Sequence, residues 1–121
     1  MEIQKVNLAE KFTKFNDYWD PRIIGELNGQ QVKAAKLKGE FVFHHHDDED
    51  EMFMVLSGNL QMLLEDKSID IGPGEFIIIP KGVSHKPIAK EEVHLILFEP
   101  ASTLHTGNVV HEITKKKLKR L

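Results

Sequence analysis

Apolar positions along this chain change their period after the first twenty residues. Residues 7–15, Asn-Leu-Ala-Glu-Lys-Phe-Thr-Lys-Phe, place Leu8, Phe12 and Phe15 at helical spacing behind Asn7, a residue suited to cap a helix N-terminus. Pro21 then ends any helix and begins an extended segment. From there the runs are short. Ile23 to Leu27 and Gln31 to Leu37 flank Asn28-Gly29, a strong hairpin signal because both turn positions need positive φ. Further apolar segments cover 41–46, 51–56, 60–64, 75–79 and 93–98. Turn chemistry separates them at Ser57-Gly58-Asn59, Glu65-Asp66-Lys67, Gly72-Pro73-Gly74 and Pro80-Lys81-Gly82. Many short strands with turns between them predict an all-β sandwich or barrel preceded by a short helical segment.

Some of these strands do not alternate. Met52-Phe53-Met54-Val55-Leu56 and Phe76-Ile77-Ile78-Ile79 are apolar on both faces, so each face needs a cover. One face can line a barrel interior. The other must meet a second sheet or another subunit, and a homodimer is the preferred reading.

The candidate chemistry sits in two stretches. The first contains His44-His45-His46, an acidic run from Asp47 to Asp50, and Glu51; the second contains Pro80-Lys81-Gly82 followed by His85. On a strand His44 and His46 project from one face and His45 from the other. The acidic run reads as a solvated loop, after which Glu51 opens the next strand. The Pro-x-Gly turn does the same for His85. Three imidazoles and one carboxylate at strand ends form a candidate site for a divalent transition metal. Strand parity adds Val42, Phe53 and Val55 as candidate pocket walls, and His94 on a late strand as a further candidate.

The pattern resembles the cupin superfamily, whose motifs are G-x5-H-x-H-x3–4-E-x6-G and G-x5-P-x-G-x2-H-x3-N. His44-x-His46-x4-Glu51-x6-Gly58 follows the first, with Gly39 one residue nearer the histidines than usual. Gly74-x5-Pro80-x-Gly82-x2-His85 follows the second up to its histidine, and Ala89 stands where the final Asn would be. The resemblance implies one cupin domain over 1–121, with core motifs at 39–89, an N-terminal extension to residue 21 and a C-terminal extension from 101. It implies a double-stranded β-helix, or jelly-roll barrel. It also implies that His44, His46, Glu51 and His85 bind one divalent metal per chain. The superfamily includes dioxygenases, decarboxylases, isomerases, epimerases, sugar-binding regulators and storage proteins, so the resemblance leaves the reaction open.

Composition narrows the picture a little further. The chain has 121 residues, a net charge of −3 and no cysteine, which excludes disulfides and thiolate chemistry. No apolar run reaches the roughly 18 residues needed to span a bilayer, and Met1-Glu-Ile-Gln-Lys lacks a signal-peptide pattern, so a cytoplasmic setting is expected. The basic stretch Lys115–Leu121 has no interleaved aromatics and reads as a solvated tail rather than a nucleic-acid contact. His105 and His111 read as exposed. A nitrogen-rich donor set without sulfur disfavours calcium and magnesium and leaves iron, manganese, nickel, zinc or copper. No arginine cluster offers itself to a phosphate. His94, Glu99 and Lys86 are candidate acid–base groups, although nothing in the sequence aims them at the metal. Three readings follow: a metal-dependent isomerase- or dioxygenase-type enzyme on a small oxygen-bearing substrate, a non-catalytic metabolite-binding barrel, and a barrel whose metal only pins strand ends.

Overall fold

The computed structural model describes residues 2–103 and 118–121, and over these the chain folds as an antiparallel β-structure with one short helix. Helix α1, Leu8–Phe12, starts where Asn7 Oδ1 accepts the Glu10 amide at 3.0 Å, and it buries Phe12. Strands β1 (Arg22–Leu27) and β2 (Gln30–Glu40) form the expected hairpin, with Asn28 at φ 52° and Gly29 at φ 77°. Then come β3 (Glu51–Ser57), β4 (Leu60–Leu64), β5 (Ser68–Ile71), β6 (Phe76–Ile79) and the long β7 (His85–Pro100).

Strand β7 is the spine. It pairs with β2 along nearly its whole length, while its other edge takes β4 near His85–Ile88 and β3 near His94–Phe98. The sheet order is β1-β2-β7-β3-β6, with β5 joined through β4. Gly58, at φ 84°, turns β3 into β4 where the chains crowd: an added Cβ would lie 2.5 Å from the Glu92 carbonyl oxygen. Only glycine combines that backbone with that approach.

Two cores result. Inside the barrel, Phe53 and Val55 of β3 meet Leu60, Met62, Ile71, Val93, Leu95 and their neighbours. Outside it, Phe12 and Phe15 cover Ile24, Ala34 and Ile96, with Met54 and Leu56 packed alongside. Much of the outward face of β3 is thus covered by the N-terminal segment of the same chain. On β6 the outward Phe76 and Ile78 stay 59% and 55% exposed.

Three expectations need correction. Residues 41–46 form no regular strand; His44 alone makes an isolated bridge, to His85. Strand β5 was not anticipated, because Ser68-Ile69-Asp70-Ile71 is too short and polar to stand out. The C-terminus is not merely a solvated tail, since the Ile23 amide donates to Lys119 O at 2.9 Å and the Leu121 amide to Ile23 O at 3.0 Å. His105, His111 and Lys115 to Lys117 lie outside the described residues. Among those described, no helix is long and apolar enough to cross a membrane.

Candidate metal centre

Beyond β2 the chain runs beside the start of β7. His44 and His85 exchange backbone hydrogen bonds at 3.0 and 2.9 Å, and the Phe41 amide donates to Pro87 O at 3.0 Å. The buried positions here are Phe41, His44 and His46, spaced three and then two. His44 and His46 share the inward side as strand parity requires, and half-buried His45 turns out to Asp47 at 2.9 Å. The irregularity before His44 shifts the phase by one, so Phe41 takes the wall position expected of Val42.

The two sequence motifs clasp each other. The Gly82 amide donates to His46 O at 2.7 Å, and the Lys81 amide to Asp50 Oδ1 at 2.8 Å. Glu49 accepts Ser102 Oγ at 3.0 Å and lies 4.0 Å from His46 Nδ1. The acidic loop expected to be only solvated therefore also ties the Pro80 turn and the end of β7 to the site.

One donor atom from each of His44, His46, Glu51 and His85 falls within 4.8 Å of the others, and all four residues are buried. His44 Nδ1 donates to Val42 O at 2.9 Å and His85 Nδ1 to Val83 O at 3.0 Å, each with the carbonyl two residues earlier. In the neutral ring this leaves Nε2 as the free lone pair, the form a metal needs. Glu51 Oε1 stands 3.3 Å from both His46 Nε2 and His85 Nε2. Buried His46 Nε2 has no aligned hydrogen-bond partner. Converging lone pairs and a carboxylate repel unless a cation or proton sits between them, so the donor set fits a divalent transition metal.

Charge at the site is uneven. Burial, and then the nearby His85, pushes the His44 pKa down to about 4, so this ring is neutral at pH 7. Burial alone would raise Glu51, but contacts with Glu99, His46 and His85 hold it well below the usual carboxylate range. Glu99 moves the opposite way: burial, then the Glu51 charge, holds it well above that range despite Lys33. Lys33 Nζ meets Glu99 Oε1 at 2.7 Å, with the two side chains 1% and 0% exposed. Counted as a carboxylate, Glu99 would leave Oε2 buried without a partner. Burial and the Glu51 charge together favour the protonated form of Glu99, the tendency expected of two neighbouring buried carboxylates.

Sequence reasoning noted Glu99 without placing it, and missed Lys33. A signal for Lys33 existed: it shares strand parity with Ala35 and Leu37, which face the barrel interior. Other candidates fall elsewhere. Lys86 pairs with Glu40 at 2.7 Å. His94 stacks on Phe12 at 4.7 Å and meets Glu92 at 2.6 Å, outside the barrel. Val55 is fully buried in the inner core.

Beside the site opens a slot of about 370 Å³, counting its open end. His44, Glu51 and Phe53 line it, with Leu37, Leu95 and Leu97 from β2 and β7. Trp19, Pro21 and Phe41 complete the rim. Val42, Val55 and His94 do not line it.

Comparison with known proteins agrees with this architecture. The family profile for the cupin domain matches residues 35–99. A cupin-2 domain containing protein from Shewanella frigidimarina is 48% identical over 78% of this chain and 93% of its own, with a TM-score of 0.78. A protein from Neisseria meningitidis is 30% identical over 81% of this chain and 100% of its own, with a TM-score of 0.74. The curated Bacillus subtilis protein YdbB, described as uncharacterized, is 39% identical over 64 residues. The match takes in 52% of this chain and only 57% of that relative.

Proposed function

Because this chain belongs to the cupin family, we propose that it is a metal-dependent enzyme acting on a small oxygen-bearing organic substrate, by isomerisation or oxygenation. One observation carries the reading: four buried donors converge within 4.8 Å, and two of them, His44 and Glu51, also line an open slot. A pure strand-pinning site would have no use for that opening.

A divalent metal held by His44, His46, Glu51 and His85 would supply a Lewis acid, able to polarise a substrate oxygen or lower the pKa of bound water. The protein does the rest. Val42 O and Val83 O hold two imidazoles in the ligating tautomer. Glu51 is held toward its ionised form and Glu99 toward its neutral one, which limits the negative charge buried in the barrel. Apolar walls beside the ligands lower the local dielectric, so electrostatic interactions there strengthen. A cytoplasmic setting belongs to the same reading. So does a homodimer, in which a second copy would cover exposed Phe76 and Ile78 on the edge strand β6.

A non-catalytic metabolite-binding barrel is the second reading. It is favoured by the slot walls, where the titratable residues among those described are His44 and Glu51, both metal-ligand candidates.

Elemental analysis of untagged protein purified without chelator tests the proposal. The expected result is about one transition metal per chain, followed by turnover: oxygen consumption if iron is found, isomerase or lyase activity if manganese, nickel or zinc. No metal after reconstitution would sink it. Metal and ligand binding without turnover would move the assignment to the binding barrel.

A further inference from the structure

Between the outer core and β1 the chain forms a short arch. Phe15 and Asp20 are buried at its two ends, while Asn16, Asp17 and Tyr18 are exposed and Trp19 is half-buried. Both ends are fastened: buried Lys36 donates through Nζ to Phe15 O at 2.7 Å, and Arg22 Nη2 donates to Asp20 Oδ2 at 3.3 Å. Arg22 also holds Asp17 at 2.8 Å, but that carboxylate is 63% exposed, and water screening keeps such a pair weak. A segment with few buried contacts between firm anchors opens locally while the rest of a fold stays intact.

Consecutive residues of the arch serve different places. Tyr18 Oη donates to Glu92 Oε1 at 2.6 Å, and the other oxygen of Glu92 meets His94 Nε2 at 2.6 Å, outside the barrel. Trp19 lines the slot, where its ring stacks on Phe41 at 4.7 Å. Phe41 is tied to β7 by its amide, which donates to Pro87 O at 3.0 Å. Of the two aromatic residues that meet at the rim, Trp19 is the one carried by an exposed segment.

Trp19 is held there against a backbone preference. Its φ is 58°, the left-handed region that bulky residues avoid. Two hydrogen bonds to β2 keep it in place: its amide to Lys36 O at 3.0 Å and its indole Nε1 to Lys38 O at 2.9 Å. Lifting the arch gives up those bonds, the ring stack and the Tyr18 contact. It also releases the backbone strain, which offsets part of that cost and brings open and closed positions closer in free energy.

We propose that residues 16–19 form a hinged flap at the mouth of the slot. In the closed position Trp19 rests on Phe41; release of Tyr18 from Glu92 lets the flap lift and admits a ligand. Tyr18, Glu92 and His94, none of which lines the slot, then act as the latch that governs entry to it. The flap controls access alone and needs no metal, so it stands apart from the metal-enzyme reading.

The chain has no cysteine, so an introduced thiol is a unique label. Ala35→Cys places one on the slot wall, and Val55→Cys places one in the inner core outside the slot. Rates of modification by iodoacetamide are compared on chelator-treated protein, with and without Tyr18→Phe. Loss of the Tyr18 bond is expected to speed labelling at Ala35→Cys by about threefold to tenfold, the equivalent of one hydrogen bond. Labelling at Val55→Cys should stay within about twofold, because it requires the barrel itself to unfold.

Trp19→Gly removes the ring and relieves the left-handed backbone; it should speed labelling at Ala35→Cys at least about tenfold, and adding Tyr18→Phe to it should change nothing further. Unchanged labelling at Ala35→Cys in Tyr18→Phe would overturn the proposal. Equal acceleration at both thiols would overturn it too, since access would then come from unfolding of the barrel. Tyr18 is exposed, so its variant decides the matter even where Trp19→Gly disturbs the fold.

Discussion

His44 and His85 lie 41 positions apart in the sequence and form a near-symmetric pair in the fold. Each donates its backbone amide to the other's carbonyl, at 3.0 and 2.9 Å. Each fixes its ring through Nδ1 to the carbonyl two residues before it. Backbone and side chain thus set one geometry twice, and both Nε2 atoms are held ready on a rigid strand junction before any ligand arrives.

Losing one ligand should empty the centre. His46→Ala and His85→Ala are each expected to lower metal content from about one per chain to near none, with the far-ultraviolet dichroism of the fold retained. Chelation of the wild type should lower Tm toward that of the variants, because a ligand that binds only the native state stabilises it. Elemental analysis beside thermal melts checks this; full metal occupancy in either variant would refute the assignment.

The metal-free protein should lose stability in mild acid. His44 has its folded pKa pushed from 6.5 down to about 4, so between those values the unfolded chain binds the extra proton. Stability is therefore undiminished above about pH 6.5 and falls as pH drops toward 4, by up to about 3 kcal/mol from this residue. Urea unfolding of chelator-treated wild type and His44→Gln across that window tests the point. The variant should show a distinctly flatter profile, and parallel profiles would contradict it.

Glu99 and Lys33 should be far more costly to separate than to replace together. Glu99→Leu leaves the buried Lys33 Nζ without its 2.7 Å hydrogen-bond acceptor, an expected loss of about 1.5–3 kcal/mol. Lys33→Met with Glu99→Leu should recover much of that loss. A double-mutant cycle by chemical denaturation measures the coupling, and additive single costs would show that the pair is not coupled.

Two glycines separate backbone strain from crowding. Gly74→Ala meets nothing within 4 Å at φ 81°, so only the left-handed backbone is penalised, about 1–2 kcal/mol. Gly58→Ala adds a Cβ 2.5 Å from Glu92 O at a similar φ and should lose clearly more. Equal losses in the two variants would mean that the β3–β4 turn yields to accommodate the methyl group.

The sequence by itself determined the architecture and the candidate ligand set. Apolar periodicity and turn residues mark most of the strands because a two-residue repeat and a positive-φ turn are local properties of the chain. His44, His46, Glu51 and His85 stand out because each lies beside a turn that the same motif specifies. Tertiary structure alone decided what surrounds them. Phe41 replaced Val42 on the slot wall because residues 41–46 bend out of strand phase as they pass β7. Trp19 reached the rim only because β2 offers it two carbonyls. Lys33 and Glu99 met across β2 and β7, where a buried charge is tolerable only with its partner, and His94 was drawn outside onto Phe12. Such pairings depend on which distant segments pack together, and the energy that fixes them is nonlocal; no window of the chain contains both halves of it.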